Sequence, residues 1–384
     1  MRDTVDKDAI VNKFMTAAGR LVNDEMQEWL NRGGRIIGTY CSYVPEEIIA
    51  AAGFMPFRMR AVGSDSTELS DVYLTHLNCS FVRHSLNMAL KGEYGFLDGV
   101  VTTTCCDHAR RLFDNFARKE SFPFIGMLNV PKRNTEFQVE WFYQELLKFK
   151  QAIEKQFHLT ISKDRIKEAI SIQNESRRLQ KQLFLLRTDK NPPITGTEAL
   201  AASVSATAMP ASKFNALLKV LLKELPTSGG RKNYRARLLI LGGILDNPQY
   251  IKLIEDQGAL VAADSLCFGS RLFWENVDEN EEDPLKAIAR YHIVDRPSCP
   301  HLLDAREKHI AFIMDLVDQF QIDGIIMERI NFCDNWGFER FMLRNTLKEK
   351  GIPFLSMDRE YLLGGTGQMK TRVQAFLETL EGDL

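Results

Sequence analysis

The chain has almost no net charge, no long apolar run, no Cys-x-x-Cys pair and no phosphate-binding glycine loop, and each absence excludes a class of function. Lys and Arg number 49 against 51 Asp and Glu, a net charge of −2. No long Lys/Arg block offsets that balance, so the electrostatic footprint of a nucleic-acid binder is missing. No apolar stretch approaches the ~20 residues of a bilayer span. The opening Met1-Arg2-Asp3-Thr4-Val5-Asp6-Lys7-Asp8 is polar and acidic, unlike a secretory leader. The expectation is a cytoplasmic protein with neither membrane nor nucleic-acid partners. Without Gly-x-x-x-x-Gly-Lys-Ser/Thr the chain has no loop to cradle a nucleoside triphosphate. Without a close Cys pair or histidines at ligand spacing, structural zinc is disfavoured. Seven cysteines in a chain of 384 residues are an odd number for disulfides and suit free thiols or metal ligands.

The length exceeds one ordinary core and implies two or three domains. From Asp8 to Asn31 apolar residues recur at helical spacing and stop at Gly33-Gly34. Arg35 to Tyr40 then reads as a strand, Val44 to Gly53 as a helix with proline at its start and acids in its first turn, and Phe54 to Arg60 as a second strand. Asn78 or Ser80 is expected to cap a helix through Phe81, Leu86 and Leu90. Leu97 to Thr104 and Phe122 to Val130 read as further strands. The period is helical from about Thr135 to Leu225, and a polar, glycine-containing stretch from Pro226 to Asn233 marks a boundary. Strands resume at Ala236 to Leu241, Ala259 to Ala263, Gly324 to Met327 and Ile352 to Ser356. Alternation of strand and helix predicts an α/β fold with largely parallel sheets. The divisions expected are an N-terminal helical segment (1–34), a first α/β domain (35–145), a helical region (146–230) and a second α/β domain (231–384).

The run Val100 to Thr104 breaks off at Cys105-Cys106, with Asp107 and Arg110-Arg111 where a helix would begin. In an open α/β sheet ligands bind beyond the carboxyl ends of the strands, where a helix N-terminus favours thiolate over thiol. Cys41 also follows a predicted strand, as do Cys267 and Cys333, while Cys79 sits at a helix start and Cys299 in the loop Arg296-Pro297-Ser298-Cys299-Pro300. Core packing, ligation of an iron–sulfur cluster between domains, and a nucleophilic cysteine beside His108 are three readings of these thiols.

Tyr43-Val44-Pro45-Glu46-Glu47-Ile48-Ile49-Ala50-Ala51-Ala52-Gly53, Asn78-Cys79-Ser80-Phe81-Val82-Arg83, Leu97-Asp98-Gly99-Val100-Val101, Cys106-Asp107-His108, Asp323-Gly324-Ile325-Ile326, Phe332-Cys333-Asp334 and Gly351-Ile352-Pro353 together resemble the 2-hydroxyacyl-CoA dehydratase and benzoyl-CoA reductase family. The resemblance runs in order from about Arg35 to the segment Gly367 to Phe376. It implies two flavodoxin-like or Rossmann-like parallel-sheet domains with an additional helical region. It also implies an oxygen-sensitive 4Fe-4S cluster and a dimeric activator ATPase, carrying its own 4Fe-4S cluster, that injects single low-potential electrons. The family's three cluster ligands fall on Cys79, Cys106 and Cys333. Some relatives carry a double-cubane 8Fe-9S cluster, and Cys41, Cys267 and Cys299 are the candidates for its extra half, with Cys105 beside the expected ligand Cys106.

Among other residues, Ser42 could hydrogen-bond substrate or a cluster sulfur, or cap a turn. Glu46 could serve as acid or base, or with Glu47 as a helix-dipole partner. His108 could relay a proton or support a ligand from behind. Arg110 and Arg111 suit a CoA phosphate, an anionic cluster or a solvated helix face. Gly364-Gly365-Thr366-Gly367 reads as a turn and helix start, not a dinucleotide fingerprint. The leading reading is an iron–sulfur catalytic subunit of an ATP-dependent low-potential reductase, as a homodimer acting on a small molecule. The alternative is one half of a heterodimer, with a paralogous subunit, acting on an acyl-CoA thioester as a radical dehydratase or benzoyl-CoA reductase. A non-catalytic cluster carrier is the reading from a different class.

Overall fold

A computed structural model describes residues 7–119, 122–225 and 230–382. Residues 226–229 of the expected polar boundary lie outside the described residues, as do the chain ends assigned to the first and last divisions. Helices α1 (Lys7–Gly19) and α2 (Asp24–Asn31) open the fold, and Gly33 ends α2 with φ of 77°, a left-handed conformation that glycine adopts freely. The first sheet follows: β1 (Arg35–Thr39), α3 (Glu46–Ala51), β2 (Phe54–Arg58), α4 (Ser80–Leu90), β3 (Gly99–Thr103), α5 (Asp107–Lys119) and β4 (Ile125–Leu128). Four helices intervene, α6 (Glu136–Phe157), α7 (Lys163–Leu185), α8 (Gly196–Ala206) and α9 (Ala211–Glu224). The second sheet comprises β5 (Arg237–Gly242), β6 (Leu260–Ser265), β7 (Gly324–Ile330) and β8 (Phe354–Arg359), linked by α10 (Pro248–Glu255), α11 (Pro284–Arg290), α12 (Arg306–Gln319) and α13 (Asp334–Glu349). Helix α14 (Thr366–Gly382) closes the chain.

The fold is α/β, with two four-stranded parallel sheets ordered β2-β1-β3-β4 and β6-β5-β7-β8. Each sheet has the same succession, first strand inside, second at the edge, third on the other side of the first. The crossover direction therefore reverses between β1 and β3, and again between β5 and β7. Pro56 lies on the edge strand β2, where a missing N–H costs no ladder bond. Helices cover both faces of each sheet, as expected for parallel strands buried on both sides. The halves interlock: Phe142 and Leu146 of α6 share a core with Leu285 and Ile288 of α11, and α1 packs on the α8 side of the second sheet while Met26 of α2 joins the first.

Two local expectations change. Neither Asn78 nor Ser80 caps α4. Its N-cap residue is Cys79, and Ser80 Oγ instead accepts from the Tyr361 backbone N–H at 2.8 Å. The last strand runs from Phe354 to Arg359, not from Ile352 to Ser356. Pro353 offers the ladder only its carbonyl, which accepts from Ile325 N at 2.9 Å, and the polar end is held by ion pairs of Arg329 with Asp358 and of Arg359 with Glu328.

A buried carboxylate joins the central helices to the second sheet. Glu255 accepts from Gly196 N at 3.0 Å, Thr197 Oγ1 at 2.6 Å and Val261 N at 3.2 Å, filling orphan donors at the start of α8. Glu255→Ala leaves those donors unsatisfied and is expected to cost about 3 kcal/mol. Chemical denaturation measures this, and a loss below about 1 kcal/mol would show that the joint carries little stability.

Candidate functional site

The carboxyl ends of both sheets, at the two reversals of crossover direction, open onto one cavity. This is where an open parallel sheet offers a ligand crevice. Cys41 follows β1 and Cys105-Cys106 follow its neighbour β3, while Gly243 follows β5, Cys267 lies beyond β6 and Cys333 follows β7. With Cys79 at the start of α4 and Cys299 in the loop before α12, all seven thiols line this cavity. All seven are free, with no disulfide among the described residues. The cavity's volume is about 110 Å³, far more than one water requires, and Phe81, Val82, Ile244, Ile330 and Trp336 supply apolar wall.

Three of the thiols stand at helix starts. Cys79 and Cys333 are the N-cap residues of α4 and α13, and Cys106 immediately precedes α5. Partial positive charge from these helix ends favours an anionic sulfur. Cys106 Sγ also accepts from Ala109 N at 3.4 Å. Cys41, Cys105 and Cys106 form a chain of thiols within hydrogen-bond reach, and Cys299 feels the charges of Cys267 and Cys41. Burial pushes Cys79 and Cys299 up to about 11 and Cys333 higher still. For Cys41 and Cys105, hydrogen bonding to a neighbouring thiol is the largest cause of the same upward shift. These thiols ionise together only if something cationic sits among them.

The cavity also holds the reverse problem. Arg58, at the end of β2, is 2% exposed and lines the cavity, and neither its Nε nor its Nη1 has a hydrogen-bond partner among the described residues. Its guanidinium stacks on Phe268 at 5.0 Å. The Tyr40 hydroxyl, in the same wall, is likewise buried without a partner. Among the described residues no three His, Cys, Asp or Glu side chains close on a point as the ligands of one ion do. A sulfur-only donor set spread around a cavity, with a free guanidinium and a free hydroxyl, suits a polynuclear thiophilic group of net negative charge.

Second elements hold the thiols in place. Arg271 donates from Nη2 to Cys267 Sγ at 3.1 Å and to Gly242 O at 2.8 Å. His301 Nδ1 and Asn335 Nδ2 lie 2.9 and 3.1 Å from Cys105 O, clasping the Cys105-Cys106 turn. His108 does not line the cavity. Its Nδ1 accepts from the Cys79 N–H at 3.2 Å and its Nε2 lies 3.9 Å from Asp334, so it ties the Cys79 turn to the start of α13. Burial lowers its pKa, against the opposing pull of Asp334. Arg110 and Arg111 pair along α5 with Asp107 and Asp114. Ser42 lines the thiol cavity, whereas Glu46 lines a separate polar pocket beside it. Arg58, Tyr40 and Arg271 carry no functional signal of their own in the sequence. An arginine ending the apolar run Phe54-Met55-Pro56-Phe57 is the one available hint for Arg58.

A family model described as the 2-hydroxyglutaryl-CoA dehydratase D-component matches residues 41–380. The beta subunit of (R)-2-hydroxyglutaryl-CoA dehydratase from Acidaminococcus fermentans is 27% identical over 360 residues, 91% of this chain and 93% of that protein. The (R)-phenyllactyl-CoA dehydratase beta subunit of Clostridium sporogenes is 26% identical, covering 92% of this chain and 94% of its own length. A benzoyl-CoA reductase subunit from Thauera aromatica is 23% identical, with 90% of this chain and 91% of that protein covered.

An unpaired buried cation destabilises a protein that has nothing to set against it. Arg58→Met is therefore expected to stabilise the protein by about 1–3 kcal/mol. Thermal melts check the sign; a variant that melts lower contradicts this account of Arg58.

Proposed function

The chain belongs to the 2-hydroxyglutaryl-CoA dehydratase D-component family, and we propose that it is the iron–sulfur catalytic subunit of an ATP-dependent, low-potential reductase in an anaerobic cytoplasm. Cys79, Cys106 and Cys333 hold one 4Fe-4S unit, and Cys41, Cys267 and Cys299 complete a double-cubane 8Fe-9S cluster. The observation that carries this reading is the convergence of seven thiols from both sheets on one cavity beside an unpaired arginine. A single cubane with three protein ligands would leave Cys41, Cys267 and Cys299 without a task on the same wall.

Such a cluster, when bound, supplies one-electron reduction at a potential that ordinary donors do not reach. The chain's own residues do the rest. Helix ends and Arg58 offset the negative charge of the thiolates, and Phe81, Val82, Ile330 and Trp336 limit water at the site. His108 fixes the backbone at Cys79, Arg271 the thiol of Cys267, and Ser42 presents a hydroxyl to the cavity. The absence of a phosphate loop fits ATP hydrolysis in a separate dimeric activator with its own 4Fe-4S cluster. Six ligands on one chain fit a homodimer acting on a small molecule.

The relatives favour a second reading. Their names are those of acyl-CoA dehydratase and benzoyl-CoA reductase subunits, and a chain of that kind pairs with a paralogous subunit and takes an acyl-CoA thioester.

Iron and acid-labile sulfide per chain, measured on protein purified without oxygen, separate the two. About eight irons per chain, falling by about half in Cys267→Ser, are expected. About four irons, unchanged in Cys267→Ser, would transfer the assignment to the single-cluster dehydratase type, and iron-free protein would overturn both.

A further inference from the structure

Beside the thiol cavity lies a second, smaller cavity of opposite character. It is walled by the first turn of α3, one face of α7 and the π turn Tyr291–Asp295, and its volume is about 40 Å³. That is room for about three or four waters at about 10–15 Å³ each. Four buried atoms of its lining have no partner among the described residues: Glu47 Oε2, Gln180 Oε1, His292 Nε2 and Arg296 Nε. They are acceptors and donors of the kind a small water cluster needs.

The charged groups divide into those with partners and one without. Glu47 forms an ion pair with Arg177. Arg296 donates from Nη1 to Ser42 O at 2.6 Å and from Nη2 to Ser42 Oγ at 2.8 Å, and its guanidinium stacks on Tyr43 at 4.5 Å. His292 is kept neutral by burial and by Arg296 and Arg177. Glu46 lines the pocket and has no ion pair among the described residues. Burial, and then the charge of Glu47, raise it to about 7, against the pull of Arg58, Arg177 and Arg296. Ser42 alone of these residues lines both cavities. A hydroxyl oxygen that accepts from a guanidinium keeps its own proton free to donate.

We propose that this pocket is the proton reservoir of the thiol cavity, with Glu46 as its exchangeable acid, Ser42 as the hydroxyl that passes the proton across, and Arg296 as the residue that aims Ser42. The assignment rests on the reductase reading above. Each electron delivered into a buried, largely apolar cavity adds a charge that burial penalises, so a proton must follow it. The O–H bond of Glu46 breaks and its proton passes through pocket water to Ser42 Oγ. The Ser42 O–H breaks in turn, and that proton goes to the electron-rich atom in the thiol cavity that has just received an electron from the low-potential iron–sulfur donor. Solvent reprotonates the Glu46 carboxylate. One electron and one proton enter, and nothing else is consumed.

The test uses anaerobically purified holoprotein. The midpoint potential of its iron–sulfur signal is measured against pH, and proton uptake on one-electron reduction is followed with an indicator dye in stopped flow at about pH 8. In the wild type the potential falls with rising pH on both sides of pH 7, because each electron brings one solvent proton into the thiol cavity. Glu46→Gln is expected to keep that equilibrium dependence but slow proton uptake roughly tenfold or more. Ser42→Ala is expected to slow uptake to a similar extent with the same equilibrium dependence, and Ser42→Thr to restore it. A wild-type potential independent of pH, or wild-type uptake in Glu46→Gln or Ser42→Ala, overturns the proposal. If Glu46→Gln fails to fold, infrared titration of the wild type and Glu46→Asp decides. A carboxyl band titrating near pH 7 and displaced in Glu46→Asp supports the reservoir, and its absence overturns it. Iron-free protein would defeat the reductase reading while the infrared titration still reported on Glu46.

Discussion

One electrostatic constraint shapes the centre of this molecule: a cavity with largely apolar walls holds groups that are costly to charge alone. Burial drives Cys79 and Cys299 to about 11, so these two thiols stay protonated unless a cation joins them. Arg58 stands in the same wall as a permanent cation with two unpaired nitrogens. A group that brings positive metal to the sulfurs and net negative charge to the guanidinium answers both at once. Packing alone does not account for the arrangement, because a merely hydrophobic core would gain by replacing Arg58 with an apolar side chain.

The fold places these groups through the geometry of parallel sheets. A crossover that reverses direction leaves a gap beyond two neighbouring strand ends, and the chain has two such gaps, between β1 and β3 and between β5 and β7. Because the helices of one half pack into the core of the other, as α6 does with α11, the two gaps are held face to face. Helix starts point into the same space at Cys79, Cys106 and Cys333. The scaffold thus supplies partial positive charge where the proposed cluster would need anionic sulfur.

Two cavities of opposite character share a single wall at Ser42. One is sulfur-lined and largely apolar, and the other is lined by Glu46, Glu47, Arg177, His292 and Arg296. On the proposed reading, exchangeable protons held one hydroxyl away from the sulfur-lined cavity would reconcile electron storage with the need for protons. Arg296 anchors that wall from the far half of the chain through two hydrogen bonds to Ser42.

The sequence by itself determined the alternation of strand and helix, hence the α/β class, and the positions of five cysteines just past strand ends, because β-branched runs and glycine stops are local signals. It also carried the family resemblance. It could not reveal that Cys79 would itself be the N-cap, since backbone geometry at a helix start is set by where the chain enters, nor that β8 would extend through charged residues whose partners lie on β7. Above all it could not show which side chains face one another. Arg58 and Arg271 are ordinary arginines in the chain and become significant only when segments as distant as β2 and the Cys267 loop close onto one cavity. His108 adjoins the thiols in sequence yet does not line their cavity, and Glu46 opens into the polar pocket. Contacts between distant segments depend on how the two sheets dock, and that information resides in the tertiary structure alone.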